Sequence, residues 1–459
     1  MAKRISRFLL LCCMVFLLPG IVSCRKGWLD EQPDKRLVVP KSIGDYQALL
    51  DNTSQIFNFF QSCGLGEIAA GDFYVLYSSW QALYANQERM AYIWGETAEF
   101  YNGEKSSDWE SGYKRVLSAN IVLDGIEKIR PDITQQEEWN QVKGSALFFR
   151  SFDFFSMAQE YCNAYVPATA ASMPGLPLRL EYDVELKVGR STLEQTYERI
   201  IADTRLSANL LGTKPGYKTR PSKQAAFGLL ARIYLVMEDY RQAALYADSA
   251  LQIQSGLLKF SSLRAGSAFP FPRFNEEVLF HNTFSYGIFN ASRLLVEPAL
   301  YASYTDKDLR KSLYFNENAK GASYKGSYSG DRTLFGGLAI DELYLIRAEC
   351  LARKGEGVTA MDVLNALLVT RFKEGYKPLK AKNGAEALAL VLAERRKELV
   401  FRGIRWSDLR RLNRDDRFKV TLKRELNGKT YILPPGDKKY VFPIDEIELK
   451  LSGIAQNER

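Results

Sequence analysis

The segment from Gln224 to Leu251 limits the fold of this chain more than any other part of the sequence. It carries Phe227, Leu230, Ala231 and Tyr234 in its first half and the small residues Ala243, Ala247 and Ala250 in its second half. Small residues at these spacings let two helices approach closely, as in the tetratricopeptide repeat, a helix pair of about 34 residues. A second copy lies further along the chain, at Tyr344, Ala348, Leu351 and Ala360. Two copies predict an all-α scaffold of tetratricopeptide-like helical repeats.

Other segments show the spacing of apolar residues that amphipathic helices require. They are Lys41–Asn52, Gly112–Arg130, Gln135–Tyr161 and Thr192–Leu211. Ser222 follows Pro221 and is a good N-cap for the helix that carries the first repeat pattern. The sequence therefore predicts helical repeats at about 112–255 and 338–411, although the length of the chain would allow two or three domains.

Two regions lack the helical period and are rich in aromatic residues, namely residues 57–101 and 254–334. Long irregular excursions from a regular scaffold usually carry function. We therefore expect loops and short strands from these two regions to form a ligand-binding face. Most of the remaining aromatic residues, such as the phenylalanines between Phe148 and Phe155, are expected in the core.

The first 24 residues predict export of the protein. Three basic residues precede the apolar run Phe8–Leu18, which is too short to span a membrane, since a span needs roughly 20 residues. The residues before Cys24 resemble a bacterial lipobox, in which the cysteine becomes the acylated N-terminus. The alternative is an ordinary cleaved signal with a cysteine nearby by chance. We predict a signal peptide at residues 1–23, lipidation of Cys24, and a tether at residues 24–40 that holds the protein on a membrane through lipid only.

Composition and missing motifs exclude several function classes. The excess of 62 Lys and Arg over 54 Asp and Glu is small and spread along the chain, which does not indicate nucleic acid as a partner. The sequence contains no CxxC, HExxH, GxSxG or Walker-type loop. It therefore predicts no catalytic residues, no cofactor and no metal site, and the protein is not expected to be an enzyme.

The remaining cysteines and the single histidine favour structural roles. Cys63, Cys162 and Cys350 are predicted to be small buried groups or to include one disulfide. His281 lies in an alternating segment beside aromatic residues, and we predict a structural histidine, with ligand contact as the alternative.

The charged segment from Glu394 to Arg411 admits three interpretations. Glu394 and Glu398 on one helical side suggest a catalytic carboxylate pair, and the basic residues around them suggest a nucleic-acid face. Basic neighbours lower the pKa of a carboxylate, which suits structure better than acid–base chemistry. We therefore predict structural ion pairing.

Several stretches, in their order, are similar to the SusD/RagB family of outer-membrane lipoproteins. These stretches are Trp28–Pro33 after Cys24, Arg220–Ser222, Leu230–Leu235, Glu394–Leu399, Gly403–Trp406, Asp408–Arg411, Val441–Ile444 and Gln456–Asn457. The resemblance covers nearly the whole chain and implies a single SusD-like domain over residues 41–459. The chain departs from the family pattern at Arg402, where an acidic residue often stands, and we expect Arg402 to pair with Glu398.

The resemblance implies a function in nutrient capture. In this family a surface lipoprotein of the outer membrane binds a nutrient and serves as a lid on a SusC-like TonB-dependent transporter. We expect this chain to capture an oligosaccharide and to pass it to such a partner. Three alternatives remain: binding of a peptide or glycopeptide, a repeat-based structural adaptor, and a hydrolase.

The expected ligand contacts follow from the resemblance and from the chemistry of sugars. Sugar rings stack on flat aromatic side chains, and polar side chains hydrogen-bond their hydroxyl groups. By resemblance, the loops around residue 75 and after the central repeat help to form the binding face. The residues predicted to bind the ligand are Asp72, Tyr74, Trp80, Tyr286 and Tyr304.

Overall fold

Helices form the frame of the computed structural model, which describes residues 40–459. In chain order they are α1 (Ile43–Leu50), α2 (Gly64–Ala69), α3 (Tyr77–Gln81), α4 (Asn86–Ile93), α5 (Thr97–Phe100), α6 (Ser107–Glu127), α7 (Gln136–Tyr161), α8 (Leu193–Leu210), α9 (Lys223–Val236), α10 (Tyr240–Ile253), α11 (Pro298–Ala302), α12 (Leu309–Tyr314), α13 (Ile340–Arg353), α14 (Gly357–Leu368), α15 (Gly384–Glu398), α16 (Arg405–Leu412) and α17 (Glu446–Ser452). The signal peptide, Cys24 and the tether as far as Val39 lie outside the described residues.

The strands are short, and each sheet contains two antiparallel strands. They are β1 (Phe73–Tyr74), β2 (Pro174–Pro177), β3 (Arg190–Thr192), β4 (Val278–Phe280), β5 (Thr283–Phe284), β6 (Leu295–Val296), β7 (Phe315–Asn318), β8 (Gly321–Tyr324), β9 (Leu334–Phe335), β10 (Leu338–Ala339), β11 (Leu422–Leu426) and β12 (Lys429–Leu433). The pairs are β1 with β6, β2 with β3, β4 with β10, β5 with β9, β7 with β8 and β11 with β12. Sheets this small cannot form a core and instead tie loops together.

The helix pair of α9 and α10 explains the residue types of the repeat pattern. Ala243, Ala247 and Ala250, the alanines of the pattern in α10, have no exposed surface, so the two helices pack closely. Tyr234 and Tyr246 stack with their ring centroids 5.7 Å apart. Ser222 caps α9 as predicted, and its side chain accepts a hydrogen bond from the Ala225 N–H at 3.2 Å. Helix α10 packs on α13, which packs on α14, so the predicted all-α repeat scaffold is confirmed.

The charged segment from Glu394 to Arg411 is not one helix. Helix α15 ends at Glu398, and α16 begins at Arg405. Phe401 and Gly403 between them adopt φ values of 56° and 70°, which end a right-handed helix. A Cβ on Gly403 would lie 2.6 Å from the Cys63 Sγ, so glycine also permits close packing here.

The two regions predicted to be irregular differ from each other. Residues 57–101 contain four short helices, α2 to α5, and the strand β1. Residues 254–334 contain mainly loops and two-residue to four-residue strands, together with the short helices α11 and α12. Strand β1 pairs with β6, which joins the two regions into one part of the molecule.

Buried ion pairs hold the charged C-terminal helices against the loop region. Arg310 and Arg371 have no exposed side-chain surface, and both bind Glu398, at 3.0 and 2.7 Å. Arg310 also binds Asp308 and Glu394, each at 2.7 Å. We call this set the ion-pair core, and it further includes Glu277, Asp341, Glu349, Arg395, Arg402, Asp408 and Arg411.

The ion-pair core supports the structural interpretation of the charged segment and corrects one detail. Burial alone would raise the pKa of Glu394, but Arg310 and Lys397 outweigh burial and hold this pKa below its ordinary value. Arg402 binds Asp341 at 3.0 Å, so the expected pairing of Arg402 with Glu398 is wrong. The turn after α15 directs Arg402 away from α15, and Arg310 and Arg371 occupy the Glu398 carboxylate instead.

Cys63, Cys162 and Cys350 are buried and free, so of the two predicted alternatives the structure has no disulfide among the described residues. Burial raises the pKa of the Cys63 thiol. Among residues 40–459, no helix combines the length and the apolar character that a bilayer crossing requires.

Candidate functional site

Two clefts adjoin each other on the loop that follows β5. The major cleft, of about 520 Å³, lies between residues 285–293, the open end of the β7–β8 hairpin and residues 325–334. The minor cleft, of about 320 Å³, lies between the same loop, the start of α6 and residues 60–61. Ser285, Tyr286 and Gly287 line both clefts, so the two clefts adjoin each other at this loop.

Short strands fix the walls of the major cleft. Thr283 and Phe284 of β5 pair with Phe335 and Leu334 of β9, which places the loop after β5 beside the loop before β9. The β7–β8 hairpin contributes Asn316 and Tyr324 from its two strands.

The buried carboxylate of Asp108 holds the Tyr286 side chain in place. Its hydroxyl donates to Asp108 Oδ1 at 2.9 Å, and Asp108 Oδ2 accepts from the Gly64 and Leu65 N–H groups at 3.0 Å each. Burial raises the pKa of Tyr286 well above its ordinary value, so the phenol stays protonated and remains a donor. The ring of Tyr286 is therefore preorganised between the two clefts.

A second buried carboxylate fixes the next turn of the loop. Glu88 Oε2 accepts from the Ile288 N–H at 2.6 Å, and Arg293 donates to the Gly287 carbonyl oxygen at 2.8 Å. Burial raises the pKa of Glu88. The loop between Tyr286 and Arg293 is thus fixed before any ligand arrives, which lowers the entropic cost of binding.

Aromatic and polar side chains alternate around the major cleft. Phe269 is 45% exposed at its edge, and Tyr324 packs on Phe401 with ring centroids 4.6 Å apart. Side-chain amides and hydroxyls supply both donors and acceptors: Asn290, Asn316, Ser285 and Ser327. A few placed polar groups around aromatic surfaces are typical of small-molecule binding sites.

The structure brings one of the five predicted ligand residues, Tyr286, to the clefts. Asp72 is buried and binds Arg396 at 2.8 Å. Tyr304 is buried, and its hydroxyl donates to the Lys397 carbonyl oxygen at 2.8 Å. Both side chains face the charged helix α15.

Tyr74 and Trp80 are partly exposed but line neither cleft. The Tyr74 hydroxyl donates to the Lys320 carbonyl oxygen at 3.3 Å. The Trp80 Nε1–H donates to the Arg89 carbonyl oxygen at 3.1 Å, and its ring stacks on Tyr77 at 5.9 Å. A ligand role for these two residues stays a prediction of the sequence.

His281 lies between two aromatic rings and outside both clefts. Its ring centroid is 4.9 Å from that of Phe274 and 5.8 Å from that of Phe335. Burial, together with the charge of Arg273, lowers the pKa of His281 to about 4. The ring is therefore neutral at physiological pH, as a packed structural histidine would be.

Sequence reasoning did not select most of the residues that line the clefts. Phe269 and Tyr324 lie within the aromatic region 254–334, but nothing in their local spacing separates them from buried neighbours such as Phe271 or Tyr328. The three basic residues that line the major cleft, Arg293, Lys325 and Arg332, could not be selected from the sequence either, because single basic residues in loops are common. Their role depends on where the chain folds back.

A further cleft of about 490 Å³ lies between α6, residues 177–188 and α17. It contains none of the five predicted residues. Within residues 40–459, no group of three or more His, Cys, Asp or Glu side chains is arranged to hold a metal ion.

Comparison with known proteins assigns the chain to a family. A family model described as "Starch-binding associating with outer membrane", SusD-like, matches residues 27–235. The model of the SusD family, SusD_RagB, matches residues 314–455. The chain belongs to the SusD/RagB family. Members of this family are surface lipoproteins that act as binding proteins.

Relatives of this SusD/RagB chain support the assignment in sequence and in fold. SusD-like protein P2 of Formosa agariphila is 26% identical over 144 residues, which are 31% of this chain and about a quarter, 26%, of that relative. A putative sugar binding protein from Bacteroides vulgatus has a TM-score of 0.74 at 20% identity, covering 92% of this chain and 99% of its own.

Surface glycan-binding protein A from Bacteroides uniformis has a TM-score of 0.66 at 17% identity, covering 91% of this SusD/RagB chain and 99% of its own. At such identities the structural likeness shows a common fold. The helical scaffold is therefore a fold that this chain shares with both solved structures.

Proposed function

We propose that this SusD/RagB-family protein captures an oligosaccharide in the two adjoining clefts and passes it to a SusC-like TonB-dependent transporter of the outer membrane. The observation that carries the proposal is the preorganised loop with Tyr286 at the junction of the clefts. A fixed ring with exposed Phe269 nearby offers stacking surfaces, and the surrounding amides and hydroxyls match sugar hydroxyls.

The proposal includes no chemical step. The two buried carboxylates that line the minor cleft, Asp108 and Glu88, each accept hydrogen bonds from backbone N–H groups that fix loops. Such carboxylates serve as structural anchors, and a glycosidase needs two carboxyl groups that flank the scissile bond. Binding and release of intact ligand is the function that this arrangement supports.

Attachment to the outer membrane through lipid on Cys24 is part of the proposal. Replacing Cys24 by Ala should abolish incorporation of labelled palmitate and release the protein from the membrane fraction. Retained labelling of Cys24→Ala would contradict lipidation at this residue. For the partner, co-purification with a TonB-dependent transporter encoded beside this gene is the expected result, and its absence would contradict delivery to such a transporter.

Ligand capture is tested with an array of neutral oligosaccharides, acidic oligosaccharides and peptides, probed with the purified full chain. The strongest oligosaccharide ligand is then titrated by calorimetry into wild type, Phe269→Ala and Tyr182→Ala. Tyr182 is a matched control, because it is 50% exposed and lines neither cleft.

We expect Phe269→Ala to weaken binding by about fivefold, since an aromatic stacking contact contributes roughly 1 kcal/mol. Tyr182→Ala should bind like wild type. Equal losses in both variants, or no binding to any oligosaccharide of the array, would contradict the proposed function. Binding to peptides alone would favour the peptide-binding alternative.

A further inference from the structure

The charges of the major cleft are unbalanced. Three cationic side chains line it, namely Arg293, Lys325 and Arg332. Among residues 40–459, Asp331 is the one carboxylate that lines it. The cleft therefore presents an excess of positive charge to any ligand that binds the aromatic surfaces beside it.

Asp331 carries one negative charge but forms no ion pair with these three cations. Its Oδ1 accepts hydrogen bonds from the Thr333 N–H at 2.8 Å and the Thr333 hydroxyl at 2.6 Å. None of the three cations forms an ion pair with any carboxylate of the described chain, in contrast to Arg310 or Arg347 elsewhere. The positive charges of the cleft thus lack protein counter-charges in direct contact.

The existing contacts of the cations leave donors free for a ligand. Arg293 donates to the Gly287 carbonyl oxygen at 2.8 Å, and Lys325 donates to the Ala265 carbonyl oxygen at 2.6 Å. Arg332 is exposed and has no hydrogen bond to any residue from 40 to 459. A guanidinium group carries five N–H donors, so both arginines retain donors for a second acceptor.

The nearest buried acid, Glu88, forms no ion pair with Arg293, although the charge of Arg293 lowers the Glu88 pKa against the larger effect of burial. Glu88 lies behind Gly287, where an added Cβ would be 3.2 Å from Glu88 Oε1 and 3.3 Å from Arg293 Nη1. Its other oxygen, Oε2, accepts from the Ile288 N–H. Glu88 therefore lies behind the loop and lines the minor cleft, while Arg293 lines the major cleft.

Resting on the proposed function, we infer that the major cleft selects an oligosaccharide whose sugar rings carry carboxylate or sulfate groups. Arg293 and Arg332 would bind these anions through charge-assisted hydrogen bonds, which are roughly twice as strong as neutral ones. The Lys325 ammonium would act as a third positive charge. Phe269 and Tyr324 would meanwhile pack against the sugar rings.

Two further observations support this ligand class. Burial lowers the pKa of Lys325, so its charged form is incompletely solvated and gains when an anion arrives. The amides of Asn290 and Asn316 offer both donors and acceptors, which suits sugar hydroxyls that also donate and accept. An acidic peptide shares only the charge of such a ligand, and its binding is an outcome of the test.

The test compares acidic oligosaccharides with neutral forms of the same sugars. Uronate oligosaccharides and their carboxyl-reduced forms, sulfated oligosaccharides and their desulfated forms, and glutamate-rich peptides are placed on the array. The full chain is then titrated with the strongest acidic oligosaccharide and with its neutral form. We expect the acidic form to bind at least about tenfold more tightly, as two charge-assisted contacts would provide.

Matched arginine variants locate the effect. Arg332→Gln should reduce the difference in affinity between the acidic and neutral forms, because it removes one of the positive charges of the major cleft. Arg241→Gln, which removes an exposed arginine of α10 outside the clefts, should preserve the difference. Far-UV circular dichroism and urea unfolding of both variants check that each remains folded.

Each outcome decides one proposal or both. Tighter binding of the neutral form, with a loss in Phe269→Ala, would overturn the inference and leave the proposed function intact. If Arg332→Gln and Arg241→Gln reduced the difference in affinity between the acidic and neutral forms equally, the inference would also be overturned. The net charge of the protein would then explain the difference. If the glutamate-rich peptides bound most strongly, the proposed function and the inference would both be overturned. The same holds if no member of the array bound.

Discussion

Arginine serves opposite purposes in the ion-pair core and in the major cleft. In the core, Arg310 and Arg371 are fully buried, and each guanidinium binds at least two carboxylates. In the cleft, Arg293 and Arg332 bind none of the described carboxylates. Pairing with carboxylates, and not the number of charges, therefore distinguishes a structural region from a region that can bind a ligand.

Physical chemistry explains why the two regions must differ. A charge in the interior costs several kcal/mol unless partners compensate it, so the core arginines need carboxylate partners. A cleft arginine remains in contact with water, so its charge costs little free energy without a partner. Its unsatisfied donors are then available, and an anionic ligand gains more from them than from donors that are already occupied.

The largest effect is expected from removing a core arginine. Arg310→Met would leave Asp308, Glu394 and Glu398 without their shared partner, and we expect a loss of about 3–5 kcal/mol in the free energy of unfolding. Urea unfolding followed by circular dichroism measures this loss. Arg332→Met is the control and should change stability by less than about 0.5 kcal/mol. Similar losses in the two variants would remove the distinction between the regions.

The next largest effect on stability is expected from Glu67, an incompletely paired acid beside the ion-pair core. Burial, and secondly the charge of Asp72, raise the pKa of Glu67 to about 8, although the Gly403 N–H at 2.9 Å favours the ionised form. In the unfolded chain Glu67 ionises near 4.5. Between these two values the folded state holds a proton that the unfolded state has lost, so stability must fall as the pH rises.

We therefore expect the free energy of unfolding to decrease by about 2 kcal/mol from pH 6 to pH 7.5 through this group, at 1.4 kcal/mol per unit. Glu67→Gln, a neutral isostere, should flatten this dependence, whereas the exposed control Glu138→Gln should retain it. Urea unfolding at several pH values measures the slopes. The same slope in wild type and Glu67→Gln would mean that another group carries the dependence.

A smaller effect is expected from salt, which should weaken ligand binding in the major cleft more than it weakens the ion-pair core. Raising NaCl from about 0.05 to 0.5 M shortens the screening length below about 5 Å, which weakens exposed charge interactions far more than buried ones. We expect the affinity for the acidic oligosaccharide to fall by about tenfold. The affinity for the neutral form and the stability of the ion-pair core should change little. Calorimetric titrations at both salt concentrations measure this, and parallel losses for the two oligosaccharides would contradict it.

The contrast also explains which features could be predicted from the sequence. The repeat pattern around Ala243 is local, because the spacing within one helix pair decides which residues are small. Structural pairing of Glu394 was likewise predictable, since its basic neighbours lie on the same segment. The partner Arg310, however, comes from a distant loop, and the break at Gly403 depends on close packing with Cys63.

The candidate site depends on contacts between distant segments and was therefore only partly predictable. Tyr286 and Tyr304 come from the same aromatic region, yet Tyr286 lines the clefts and Tyr304 is buried beside α15. Asp72 resembles a ligand-binding acid in sequence, and only the fold reveals its partner Arg396. Neither composition nor periodicity carries that information.

The smallest effect on binding is expected at Trp80, which the sequence predicts to contact the ligand. The structure gives its indole another function, because it stacks on Tyr77 and donates to the Arg89 carbonyl oxygen, away from both clefts. We therefore expect Trp80→Ala to change the affinity for the oligosaccharide by less than about twofold, or roughly 0.4 kcal/mol. The same calorimetric titration that measures Phe269→Ala tests this. A loss at Trp80 as large as that at Phe269, with unchanged helical circular dichroism, would extend the binding face to α3 and restore the position that the sequence predicts.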